Sequence, residues 1–447
     1  MWYNPVGLWC LAFILINLIY RATGGANPAS RYATMRAMVE QHTFEISSYK
    51  HWTVDWGQNE DGKIFSNKAP GPMFIGLPLF FILEKLTQNS KRETFDENGY
   101  RNKYISPTPR VLMSLTYQML PFAFLVFFLL SGMKDIEQIN FTCLALFFGT
   151  TTSLLMNVYF GHAMASIFIL GICYAFLKKK YYWVGFCFGF ALMCEYTAGL
   201  LLLPLLIALF LQNKKDIMWM KKFILGGFLP GILWCLYHYY TTGSIFLTPA
   251  MFQNPDFESV KNIDGNFVGM FLPYPDIRNI YYLLFGSVRG LLFTQPWLLF
   301  FLPLPFIYHK DLEGQGLLVF FIMSSFALLL VMNSMFDAWH SGWMVGPRYM
   351  CMIFPAMAWL AGKLYPKLNL KIKYLLWLGL FVAVAFRALV YATTILAPDV
   401  PLWPYLFDKL HGYLWVRVIV FYLLIALTLF RVRRGRFWAL KNLGIER

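Results

Sequence analysis

Apolar residues recur along this chain in long runs, and the polar residues are gathered between them. The runs cover 5–20, 72–87, 111–132, 141–157, 162–177, 181–195, 197–212, 223–240, 290–308, 315–333, 349–362, 374–392 and 414–430. Runs of this kind approach the roughly 20 residues a helix needs to cross a bilayer, so they predict an all-α polytopic membrane protein. The first run has no basic leader before it and no small-residue cleavage site after it. It reads as a retained anchor. The run 72–87 differs from the rest, because Pro70, Pro72 and Pro78 interrupt it. It is expected to be re-entrant or interfacial, leaving about twelve transmembrane helices in a single domain over 1–447.

Charge sets the orientation of that arrangement. With 72–87 not crossing, the short loops 133–140, 178–180, 213–222, 309–314 and 363–373 and the basic tail 431–447 fall on the side of the N-terminus. They hold nineteen Lys and Arg against six acids, while the rest of the chain holds nineteen against seventeen. If 72–87 crossed, the basic loops after it would lie outside, so the positive-inside rule places both termini in the cytoplasm. The exterior then receives a long first loop, 21–110, the loops 241–289, 334–348 and 393–413, and turns near 157–162 and 195–196. An inner (cytoplasmic) membrane protein is expected, with its site on the periplasmic or extracellular face.

Composition agrees. Hydrophobic residues make up 58% of the 447 positions and charged residues 14%, against about a quarter in soluble domains, which excludes a disordered chain and an ordinary soluble enzyme. The net charge of +15 would suggest a nucleic-acid partner in a soluble protein, but most of it lies in cytoplasmic loops, so none is expected. The seven cysteines lie in or beside apolar runs without a CxxC pair, which predicts packing residues and no disulfides.

Candidate chemistry lies in the exterior segments. Ser30 reads as the N-cap of a short amphipathic helix that carries Arg31 in its first turn, where the helix dipole disfavours a cation unless an anion faces it. Asp55 stands between Val54 and Trp56, a setting that favours a partly buried carboxylate and hence a general base, with Glu40, Glu195 and Asp337 as alternates. Lys68 precedes the rigid Ala69-Pro70-Gly71-Pro72 turn and suits a phosphate head group. His162 and Glu195 mark two exterior turns, and an ionisable residue at such a depth is a functional candidate. Arg289 follows Gly286-Ser287-Val288, and Arg348 follows Gly346-Pro347; two further cations on stiff backbone match a phosphate clamp. Trp339 offers a flat face for a sugar, beside His340. No P-loop, GxGxxG, GxSxG, HExxH or EF-hand pattern is present. No convincing metal-ligand spacing occurs; no cofactor is expected, and a divalent metal is left open.

The order of these motifs resembles the GT-C superfamily of polytopic glycosyltransferases. These motifs are an Arg-Tyr-Ala helix after the first span, a Lys-Ala-Pro-Gly turn, Gly286-x-x-Arg289-Gly-Leu, and Trp339 leading to Gly346-Pro-Arg348-Tyr. Within that superfamily the chain looks like bacterial members of the dolichyl-phosphate-mannose-protein mannosyltransferase (family 39) and aminoarabinose transferase group, over roughly residues 1–350. The resemblance implies transfer of a sugar from a polyprenyl-phosphate donor to a glycan, lipid or protein acceptor, with inversion and a carboxylate base. Arg31, Lys68, Arg289 and Arg348 would hold the donor phosphate; the resemblance carries over no base, and Asp55 is taken as base on its surroundings. Tyr32, Asn67, His162, Glu195, Trp339 and His340 would line the sugar and acceptor, with membrane lipids around the whole. Relatives usually carry an acidic pair where this chain has Pro28-Ala29-Ser30. A transporter or flippase fits twelve spans as well, although only Arg387 lies well inside a run and no internal repeat is evident. A non-catalytic envelope-assembly subunit is the third reading.

Overall fold

The structure is a computed structural model that describes residues 4–20, 25–87, 107–214, 216–252, 254, 274–312, 314–336, 339, 340, 342, 344–394 and 397–442. The chain begins with α1 (Pro5–Ile19), α2 (Ala26–Glu40), a hairpin of β1 (Trp56–Gln58) and β2 (Ile64–Ser66), and α3 (Gly71–Thr87). It continues through α4 (Pro109–Leu130), α5 (Ile136–Phe148), α6 (Gly161–Leu177), α7 (Tyr181–Cys194), α8 (Tyr196–Gln212) and α9 (Met218–Thr242). Then follow α10 (Ile277–Phe285), α11 (Pro296–Ile307), α12 (Gly316–Met335), α13 (Phe354–Leu364), α14 (Leu370–Ala392), α15 (Leu402–Lys409) and α16 (Leu414–Asn442).

Each apolar run contains helix, but not always along its whole length. The run 141–157 stops being regular after Phe148, and 290–308 is broken at Gln295-Pro296 and again near Pro303. Among the described residues, five helices are long and apolar enough to cross a membrane: α4, α9, α12, α14 and the Leu414–Arg434 part of α16. The apolar helices α1, α5, α6, α7, α8 and α11 are shorter. All seven cysteines are free and are buried or half-buried.

Burial sorts the helices into a core and a rim. Nearly all of α6 and α13 is enclosed. By contrast α9 presents Leu225, Phe228, Leu229 and Leu236 outward, and α16 presents Ile419, Leu423 and Leu427, as expected of faces solvated by lipid. Between α7 and α9 the backbones come close. A Cβ on Gly185 would meet the Phe223 carbonyl, and one on Gly226 would meet the Tyr182 carbonyl. Apolar surface gains little from burial within a bilayer, so close packing through small residues is what holds such a pair.

The segment after α1 folds into a compact cap. Its helix α2 starts at Ala26 behind Gly25, so Ser30 is not the N-cap and Arg31 lies beyond the first turn. Pro28 explains the earlier start: it fits a first turn, whose N–H groups have no helical partner anyway. Ser30 is spent on tertiary contacts, donating to the Asp55 carbonyl at 2.6 Å and meeting Ser66 Oγ at 2.6 Å. The hairpin, unforeseen from the sequence, turns at Asn59–Gly62. There Asn59 Oδ1 accepts from the Lys63 N–H at 2.9 Å, and Gly62 takes a left-handed φ of 78°. Arg36 of α2 pairs with Glu84 of α3 and lies 3.5 Å from Glu40, so α2 and α3 form one packed unit.

Candidate active site

Asp55 enters the site from the strand-like segment before β1. Its N–H donates to Thr53 Oγ1 at 3.0 Å, and Thr53 Oγ1 donates to the Ala26 carbonyl at 2.7 Å, which ties the segment to the start of α2. Its carboxylate lies 3.1 Å from Lys68 Nζ. Lys68 is held in turn by its own N–H, which donates to Ser66 Oγ at 3.2 Å, and by the Pro-Gly-Pro turn behind it. That turn rests on the end of α7, because Gly71 offers no Cβ to the Met193 and Cys194 backbone. The result is a lysine and a carboxylate fixed on a floor of backbone. Burial, together with nearby Arg348 and Arg31, draws the Lys68 pKa below the ordinary lysine value, although Asp55 opposes the shift.

Arg31 stands beside this pair and is almost completely buried. Its Nη1 donates to the Asn27 carbonyl at 3.2 Å and to the Asn27 side chain, one turn back in α2. Its Nη2 presses against Gly161, where any side chain would collide with it and with the Cys194 carbonyl. Its Nε is buried with no partner among the described residues. Burial depresses the Arg31 pKa, and Glu195 and Asp55 offset this.

Arg348 approaches from the turn before α13. Its guanidinium lies over Phe160 at 5.7 Å and Tyr349 at 4.9 Å, and Nη2 donates to the Tyr349 hydroxyl at 3.0 Å. Its Nε is also buried and unpartnered among the described residues. Burial works against its charge, but Tyr349, Asp55 and Glu195 more than compensate, and its pKa is raised. His162, at the start of α6, places Nδ1 2.9 Å from Glu195 Oε2. Glu195 sits at the break between α7 and α8. Burial would raise its pKa, but His162, Arg31 and Lys68 prevail and bring it down to about 2.

Residues far apart in the sequence thus meet: Arg31, Asp55, Lys68, His162, Glu195 and Arg348. Three cations face two carboxylates, so the site carries a positive excess at a depth where charge is poorly screened. Asn67 joins them with a buried Oδ1 that has no partner among the described residues. Tyr32 is packed between Phe80 and Tyr159, at ring distances of 6.3 and 5.7 Å, and serves as a wall. The sequence marks 157–162 as an exterior turn but gives Tyr159, Phe160 and Gly161 no role of their own. The left-handed φ of 59° at Tyr159 is the local departure that brings this turn under Arg348.

Arg289 is near enough to Arg348 for the two charges to repel, but its own donors are directed elsewhere. It is fully buried, and its Nε donates to the His340 carbonyl at 3.0 Å and its Nη1 to Val288 at 2.8 Å. Nη2 reaches the carbonyls of Gly342, Ala397 and Pro398 at 3.0, 2.9 and 3.1 Å. Its donors are consumed by backbone from three loops. Trp339 stacks on Tyr282 at 5.5 Å, and His340 Nδ1 lies 3.2 Å from Asp399 Oδ1, beside the Arg289 clamp. Glu40, an alternate base, is engaged by Tyr49 and Arg36 on the far side of α2. Asp337 and Trp343 lie outside the described residues. Among the described residues no three His, Cys, Asp or Glu side chains gather as metal ligands.

No family model matches this chain, and no curated protein matches it. Among solved structures it is similar to ArnT from Cupriavidus metallidurans bound to undecaprenyl phosphate, with a TM-score of 0.45 and 14% identity over 96% of this chain and 76% of that one. The apo state of the same protein gives a TM-score of 0.43 and 13% identity over the same shares. At that identity no residue's role passes from that protein to this one.

Proposed function

We propose that the chain is a GT-C-type membrane glycosyltransferase that takes a sugar from a polyprenyl-phosphate donor and delivers it to an acceptor at the non-cytoplasmic face. The observation that carries this reading is the convergence of Arg31, Lys68 and Arg348 in one buried site, where Arg31 and Arg348 each keep an Nε without a partner among the described residues. Buried N–H groups rarely go unpaired, and a phosphate accepts several charge-assisted hydrogen bonds at once. Arg31, Lys68 and Arg348 would hold the donor phosphate and take up the charge that develops on it as the sugar departs. Asn67 and the His162–Glu195 pair would face the sugar, with Tyr32 as a wall. Trp339 and His340 would lie toward the acceptor, and Arg289 would hold the loops that carry them. Asp55 is the carboxylate the sequence nominates as base, and it also orients Lys68. The reaction would invert the anomeric centre. The twelve-span arrangement, with short basic loops inside, would put this site on the periplasmic face of the inner membrane.

The test is donor-dependent labelling. Membranes containing the chain are given undecaprenyl phosphate-linked donors with radiolabelled hexose, pentose or aminopentose, and labelled acceptor is extracted. Transfer from one donor class is expected, and Arg31→Met or Lys68→Met should reduce it at least about 100-fold, with weaker stabilisation by undecaprenyl phosphate. Full transfer by both variants would sink the assignment.

A further inference from the structure

His162 has the setting of an oriented base. It is 3% exposed, at the second position of α6. Nδ1 faces Glu195 Oε2 at 2.9 Å, while the Thr197 hydroxyl donates to Oε1 of the same carboxylate at 3.4 Å. Nδ1 is at ion-pair distance from Glu195 but off the line of a hydrogen bond, and no described residue is hydrogen-bonded to Nε2. The ring cannot easily turn away. Phe160 lies nearly parallel to it at 6.4 Å, and Tyr349 meets it edge-on at 5.6 Å. Those two rings are the ones beneath the Arg348 guanidinium. The adjoining Gly161 is where Arg31 Nη2 presses against the backbone. The imidazole is therefore close to two of the cations assigned to the donor phosphate. Asp55, by contrast, already has a cation on its carboxylate.

We infer that His162 Nε2, oriented by Glu195, takes the proton from the acceptor hydroxyl, while Asp55 holds Lys68. The inference rests on the glycosyltransferase reading. In the step, the acceptor O–H bond breaks and its proton passes to Nε2. The oxygen forms a bond to the anomeric carbon as the bond from that carbon to the phosphate oxygen breaks. The bonding pair leaves on the polyprenyl phosphate, where Arg31, Lys68 and Arg348 receive the added charge. The imidazolium is balanced by Glu195 and returns its proton to water after product release. A carboxylate behind an imidazole fixes its tautomer and stabilises its charged form, which is the general logic of such pairs.

The charged and titratable groups around the imidazole are Glu195 from the α7–α8 break, Arg31 from α2, and Arg348 and Tyr349 from the turn before α13. Glu195 is held ionised far below neutrality, so an acid limb near neutral pH would not be its own titration.

The experiment uses the full chain in lipid nanodiscs with whichever undecaprenyl phosphate-linked donor passes the labelling test. Wild-type transfer should rise with pH through a midpoint below the ordinary histidine value, because burial, Arg348 and Arg31 outweigh Glu195 at the imidazole. His162→Gln should lower transfer about 10²–10⁴-fold, the range for losing a general base, and remove that limb. Stabilisation by undecaprenyl phosphate should be unchanged in this variant. Glu195→Gln should move the midpoint to lower pH, and imidazole should partly restore His162→Ala. Wild-type turnover with an intact limb in His162→Gln would overturn the inference. So would loss of undecaprenyl phosphate stabilisation in that variant, which would mark His162 as structural. If the wild type itself neither transfers nor is stabilised, the glycosyltransferase reading falls, and the inference with it.

Discussion

Arg31 and Arg289 are both buried arginines, and their surroundings separate their roles. Arg289 spends its donors on carbonyls at 2.8 to 3.1 Å, whereas Arg31 keeps a buried Nε unpaired. Lysine cannot reproduce a planar fork, so Arg289→Lys would strand several buried carbonyls, each costing about 1–3 kcal/mol. Its expected effect is a lower thermal midpoint and faster proteolysis near residues 340 and 398, with undecaprenyl phosphate still stabilising what remains folded. Unchanged melting would contradict the clamp. Gly161 is constrained by contact on two sides, and Gly161→Ala should displace Arg31 and lower transfer while the helices stay intact by circular dichroism. Glu195 permits a pH prediction. With its pKa lowered to about 2, its contribution to stability is complete above about pH 4.5 and is lost only as the pH falls toward 2. Melting of wild type and Glu195→Gln should therefore not converge from pH 8 down to pH 5, and should separate further where His162 takes its proton beside the Glu195 carboxylate. A difference that closed across that interval would show Glu195 titrating higher.

Elements place these residues by close approach more than by flexible reach. The unit of α2, the hairpin and α3 is drawn together by Ser30, Ser66 and the Arg36–Glu84 pair, and it meets the core through Gly71 and Gly161. Across the α7–α9 seam, Gly226→Val should push the helices apart and lower the thermal midpoint. Gly231→Ala, one turn further with nothing within 4 Å of its Cβ, should leave it unchanged. Equal effects would remove the seam from the argument. Lys68 and Asp55 were legible in the sequence because local features, the proline-rich turn and the flanking Val54 and Trp56, signalled a fixed backbone. His162 and Glu195 were visible singly, as polar breaks in apolar runs. Their pairing depends on how α6 packs against α7, which no local pattern encodes. Arg289 was read as a ligand because a sequence displays a donor and conceals the carbonyls that will meet it. The start of α2 lies earlier than the N-cap reading of Ser30 places it, because Pro28 fits a first helical turn, and strands of three residues are too short for alternation to show the hairpin.

At the scale of the molecule, the helices follow the apolar runs, and the break in 290–308 is where polar contacts took precedence. Gln295 receives the Thr151 N–H at 3.2 Å, and the Trp297 indole donates to the Gly149 carbonyl at 2.7 Å. Arg387, the lone cation deep in a run, lies beneath Asn17, Ser153 and Tyr391, with no acidic partner among the described residues. A hydroxyl and carbonyl cradle of that kind suits a fixed strut better than an alternating site. Orientation is tested by placing thiols at Lys179→Cys and Lys63→Cys and labelling intact cells with an impermeant maleimide. Labelling at 63 and protection at 179 are expected, and the reverse would invert the topology and move the cluster to the cytoplasm.

The Arg289 clamp also has a consequence for biogenesis. Its partners come from residues 288, 340, 342 and 397 to 399, so the clamp ties together three loops late in the chain. Arg31, Lys68 and His162 leave the ribosome long before Ala397 does. The clamp is therefore completed only after α14 has been made. Until then Arg289 lacks the acceptors at Ala397 and Pro398 that it has in the finished fold.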